Sequence, residues 1–100
     1  MASPDEITVI RNDDRQRYEA KLGGEVVGHS RFQLRPGTVV FVHTEVDPEH
    51  EGHGVGSELA KAALDDVRQR GQKVIAQCPF IADYIARHPT YADLVTNAVA

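Results

Sequence analysis

The chain has 100 residues, a net charge of -4, 41% hydrophobic residues and 26% charged residues. That is the size and balance of one small globular domain, expected over 1–100 with a core at about 7–95. The acidic balance argues against a nucleic-acid surface, the single cysteine excludes an internal disulfide, and no apolar run reaches membrane-spanning length.

With no signal peptide at its start, the chain is expected to be cytoplasmic. Met1 to Glu6 are polar, include Pro4, and predict a loose arm. Ile7 to Arg11 alternate weakly, as a short first strand would. Asn12-Asp13-Asp14 marks a turn. In Arg17 to Leu22, Tyr18, Ala20 and Leu22 share one face, the period of a half-buried strand. Gly23-Gly24 predicts a hairpin turn into a longer strand over Glu25 to Leu34. After Arg35-Pro36-Gly37, the run Thr38 to Val46 is rich in β-branched residues and almost continuously apolar at its start. It is expected at the centre of the sheet.

Asp47-Pro48-Glu49-His50 ends that strand, and Glu51-Gly52-His53-Gly54-Val55-Gly56-Ser57 follows. From Ser57 to Arg70 the pattern is helical, with Leu59, Ala60, Ala63, Leu64 and Val67 on one face. Gly71 predicts a left-handed stop. Lys73 to Gln77 predicts a short buried strand. Cys78-Pro79-Phe80 opens a second helix, which Pro89 should end. Thr90 is expected to cap a last helical turn over Tyr91 to Val95.

The glycine stretch is where chemistry is expected. Glycines allow sharp turns and close approach, and a helix start carries unpaired amides and the positive end of a dipole. Together these favour an anion, and the expectation is a pyrophosphate within a larger cofactor. The Rossmann pattern fits poorly because Ser57 stands where a glycine is needed, and the P-loop pattern lacks its lysine. His50 and His53 are spaced wrongly for a zinc-protease pair, so no metal is expected. From the glycines alone, a capped turn holding no ligand stays open.

The helix between Val46 and Lys73 has the length of a crossover, so the strands on either side should be parallel. The fold class is α/β: a mixed, mostly antiparallel sheet with one parallel pair joined by a crossover helix, plus C-terminal helices. Ligands favour the carboxyl ends of such parallel strands. The glycine turn and Cys78 are therefore expected to share a cleft.

With these residues in this order, the chain resembles GNATs, the acetyl-coenzyme A-dependent N-acetyltransferases. Their motif Gln/Arg-x-x-Gly-x-Gly/Ala corresponds to Glu51-Gly52-His53-Gly54-Val55-Gly56. Glu51 departs from it, and its side chain is expected to turn away from a phosphate. More narrowly, the chain is similar to a small branch of GNAT-like proteins of about its own length. The shared features are His43-Thr44, Cys78-Pro79-Phe80 and His88-Pro89-Thr90-Tyr91.

The resemblance implies binding of acetyl-coenzyme A or coenzyme A as co-substrate. Pantetheine would pair with backbone near Val46. The pyrophosphate would rest on amides of Gly52, His53, Gly54, Val55, Gly56 and Ser57. The thioester would point toward the gap between Val46 and Cys78. The acceptor would be a small amine or a basic peptide.

Acetyl transfer needs a neutral amine, a donor for the thioester oxygen and a proton for the leaving thiolate. Cys78, at a helix start, is a candidate to accept the acetyl group or to interact with the thioester; a buried structural thiol is the other reading. His43 is a candidate base, with Glu45 on the same strand face as its orienter. Tyr84 could supply the thiol proton, or pack as core. So short a domain is expected to lack much of the substrate-binding wall of larger relatives. A non-catalytic coenzyme A-binding module is the rival reading, and a homodimer could replace the wall.

Overall fold

The computed structural model describes residues 6–96. One five-stranded sheet runs in chain order: β1 (Ile7–Asn12), β2 (Arg17–Leu22), β3 (Glu25–Arg35), β4 (Thr38–Val46) and β5 (Lys73–Ala76). The first four strands are antiparallel neighbours, and β5 lies parallel to β4. The crossover is α1 (Val55–Gln69), preceded by a 3-10 turn at Pro48–His50. After β5 come α2 (Pro79–Arg87) and a 3-10 segment at Pro89–Leu94.

The expected elements are present, with shifts at their ends. Helix α1 begins at Val55 rather than Ser57, because Gly54 takes the cap position in a left-handed conformation. Thr90 does not cap the last segment. His88 precedes it, Thr90 lies inside it, and no side chain caps it.

Both helices pack on one face of the sheet. α1 buries Val55, Leu59, Ala60, Ala63, Leu64 and Val67, a stripe at helical spacing. It meets Tyr18, Phe32, Phe41 and Val74 from the strands, with Cys78, Ile81, Tyr84 and Ile85 beside it. Each fully buried Leu or Val contributes about 1.5–3 kcal/mol relative to exposure. Tyr18 also ties the sheet to α1 by donating to Asp66 Oδ2 at 2.6 Å.

A bulge in β4 positions the site. Arg31 pairs with His43, but Phe32 pairs with Phe41, so Val42 is an extra residue. A bulge breaks the alternation of faces. Val39 and Phe41 face the helices before it. After it, Thr44 pairs with Ser30 and Val46 packs on the core from that same side. His43 and Glu45 therefore stand on the opposite face, over which neither helix packs.

Candidate functional site

β5 parts from β4 early. Their pairing runs from Thr38–Lys73 to Phe41–Ala76 and stops. The Phe41 carbonyl accepts from both Gln77 N, at 3.0 Å, and Cys78 N, at 2.9 Å, as the chain turns into α2. β4 continues alone on that side to Val46. Asp47 N donates to Val27 O, which directs Asp47 and Glu45 toward β3. By ladder alternation, the amides and carbonyls of Thr44 and Val46 face the gap that β5 has left.

The glycine turn closes the mouth of this gap. Gly52 and Gly54 both have φ +81°, with open space where a Cβ would stand. Glycine is needed there for conformation, since other residues adopt that region at a cost. The amides of Gly52, Gly54, Val55, Gly56 and Ser57 find no acceptor among the described residues, and no side chain caps α1. The amide of His53 is turned away, donating to His50 O at 3.4 Å. A cleft of about 430 Å³ lies over this cradle. The turn lines it together with His50 and Glu51, and so do Thr44 and Val46 of β4 and Phe80 of α2, whose ring lies against Gly56. Glu51 is exposed and lines both this cleft and a neighbouring cavity of about 450 Å³.

Cys78 is the N-cap residue of α2, is 2% exposed, and donates from Sγ to Thr44 Oγ1 at 3.3 Å. Thr44 and Phe80 line the cleft, and Cys78 lies behind Thr44. His43 Nε2 is 3.5 Å from Glu45 Oε1, and His29 Nε2 is 3.7 Å from Glu45 Oε2. Burial, and then the charge of Arg17, push the His29 imidazole down, against the opposing pull of Glu45. Tyr84 stacks on His88 with centroids 4.0 Å apart. Burial raises its phenol, and the charges it feels are Lys61, Asp65 and Glu58 of α1, away from the cleft.

The structure thus joins His43 to Glu45, and it ties Cys78 to Thr44, which lines the cleft with the turn; Cys78 itself is buried and does not line it, contrary to the expectation of a shared cleft. Nor does the structure bring Tyr84 to the cleft. Thr44, Phe80 and His29 were not singled out from the sequence. The His43-Thr44 and Cys78-Pro79-Phe80 pairings were the available signals for two of them. His29 had none, because its place depends on the register of β3 with β4.

The family model for GCN5-related N-acetyl-transferase matches residues 17–94. The chain belongs to this family.

Relatives of this GCN5-related domain include Protein NATD1 from Mus musculus, 40% identical over 92 residues, covering 83% of this chain and 77% of that one. Protein NATD1 from Homo sapiens is also 40% identical over 92 residues, covering 83% and 75%. Among solved structures, a GCN5-like protein from Staphylococcus aureus superposes with TM-score 0.68 at 22% identity, over 98% of this chain and 94% of that one. The ribosomal-protein-S18-alanine N-acetyltransferase from Escherichia coli gives 0.56 at 18% identity, over 60% of this chain. The match spans 39% of that enzyme's length. At such identities these structures show a shared fold.

Enzymes of the GCN5-related family take acetyl from acetyl-coenzyme A and pass it to amines. The residues present here fit that co-substrate. Unpaired amides suit a pyrophosphate, and the open edge of β4 suits an arm that carries amides of its own.

Proposed function

We propose that this GCN5-related domain is an acetyl-coenzyme A-dependent N-acetyltransferase acting on a small amine or a basic peptide. The observation that carries the reading is the set of amides of Gly52, Gly54, Val55, Gly56 and Ser57, unpaired among the described residues, at the mouth of the gap between β4 and β5.

Bound acetyl-coenzyme A would supply an activated acyl carbonyl, which an amine nitrogen attacks as the carbon–sulfur bond breaks. The chain's residues manage the protons. Glu45, held between His43 and His29, attracts the incoming ammonium on the helix-free face. His43 takes one proton and leaves the amine neutral; the second nitrogen proton, shed as the amide forms, goes to the departing thiolate. Thr44, held from behind by Cys78 and paired with Ser30 Oγ at 2.9 Å, offers a hydroxyl to the cleft from the other side. The burial of Cys78 and its bond to Thr44 favour an orienting role over acceptance of the acetyl group.

One observation supports a second reading. Among the described residues no helix packs over His43 and Glu45, so the acceptor would meet an open wall. A coenzyme A-binding module without turnover has the same cradle. One measurement tests what the readings share and a second separates them. Saturating acetyl-coenzyme A raises the melting temperature in either case, by about 2.7 kcal/mol of stability at a hundredfold excess over Kd. Release of free coenzyme A with a panel of amines occurs only for the transferase. Binding with no release from any amine would sink the enzymatic reading.

A further inference from the structure

The amide cradle presents the same donors to any diphosphate, so it cannot by itself tell coenzyme A from a nucleoside diphosphate. Discrimination has to come from the side chains around the cradle. There the exposed aromatic is Phe80, 41% exposed, whereas Phe32 and Phe41 are 2% and 0%. Its ring lies across the first turn of α1. A Cβ built on Gly56 would come within 2.7 Å of Phe80 Cζ and 3.2 Å of Cε2. Gly56 differs in this from Gly52 and Gly54. Its φ is not in the left-handed region, and what a side chain there would meet is the Phe80 ring. Glycine there costs helix propensity, since alanine is the better residue inside a helix.

We infer that Phe80, seated on Gly56, is the specificity-determining contact of the cleft: its ring takes the pantetheine arm and so selects coenzyme A over bare nucleoside diphosphates. The inference rests on the cofactor reading proposed above. Across the cleft, Val46 and Val55 give the arm a second apolar side, and the free β4 edge at Thr44 and Val46 gives it amide partners. The cleft therefore matches a flexible chain that is apolar along its flanks and carries amides.

Titration calorimetry with coenzyme A and with ADP tests this on the wild type, Phe80→Ala, Phe80→Leu and Gly56→Ala. The wild type prefers coenzyme A. Phe80→Ala weakens coenzyme A about tenfold, the share expected from an exposed ring newly covered, and leaves ADP within about twofold. Phe80→Leu falls between. Gly56→Ala keeps its amide and gains helix propensity, so it holds or raises the melting temperature while pushing the ring aside and eroding the preference. In proton NMR of the wild type, the Phe80 ring signals move with coenzyme A and stay still with ADP. Equal weakening of both ligands by Phe80→Ala, or ring signals that stay still while the turn amides respond, overturns the inference and leaves the cofactor reading standing. A wild type that binds neither ligand overturns both.

Discussion

Cys78 Sγ donates to Thr44 Oγ1 at 3.3 Å across the point where β5 leaves β4. The bond ties the start of α2 to the last part of β4, beyond the end of its pairing with β5. It also fixes the hydroxyl that lines the cleft.

Cys78→Ser keeps a donor in that place, so turnover should stay within a few-fold of wild type. Cys78→Ala removes the donor and leaves a small void, and should cost about 1–2 kcal/mol of stability. Intact mass spectrometry after incubation with acetyl-coenzyme A should show no acetyl adduct on the wild type. A stable adduct that disappears in Cys78→Ser would assign the thiol a covalent role instead.

His43 and Glu45 are exposed, with side chains 53% and 66% accessible. Substituting either should leave stability within about 0.5 kcal/mol. If they handle the amine proton, His43→Ala and Glu45→Gln should each lower kcat by about 10²-fold or more while leaving the KM for acetyl-coenzyme A unchanged. A change confined to that KM would place them in cofactor binding.

Tyr18→Phe probes the scaffold apart from the site. The Tyr18 hydroxyl donates to Asp66 at 2.6 Å and accepts from Arg11 Nη1 at 3.2 Å. Burial, and then Asp66, push its phenol far above the usual range. Losing the hydroxyl should cost about 1–2 kcal/mol in urea unfolding. Coenzyme A affinity should not change, because Asp66 keeps Arg70 at 2.7 Å and α1 stays in place.

Acid should weaken the fold through Glu19. Burial alone would raise its carboxyl, but Arg17 at 2.7 Å and Asn12 outweigh that and hold it below the ordinary 4.5. A carboxyl with a depressed folded pKa gives stability that is present above 4.5 and is lost as pH falls through the lower folded value. Asp65 behaves alike, with burial opposed by the Tyr91 hydroxyl and Lys61. Urea midpoints should therefore fall below about pH 4.5, and Glu19→Gln should flatten that fall. An unchanged slope in Glu19→Gln would remove Glu19 as a cause.

Most of the fold was legible because each element carries its own local signal. The Gly23-Gly24 turn, the alternation of Tyr18 and Ala20, and the α1 stripe all match their elements. The cradle was legible for the same reason. That His43 and Glu45 share a face follows from strand period, but which face they share does not. The extra residue at Val42 decides it, and that depends on how β3 pairs with β4. Contacts between distant segments left even less trace. Nothing in the spacing of Gly56 and Phe80, or of Thr44 and Cys78, announces that they touch.

The most direct measurement is a ¹⁵N–¹H NMR titration of the full chain with coenzyme A. The backbone signals of Gly52, Gly54, Val55, Gly56 and Ser57 should shift together and saturate with one affinity, while His53, whose amide is already paired, moves less. If coenzyme A binds and those signals stay in place, the cradle is not where the diphosphate sits, and the account is wrong at its centre.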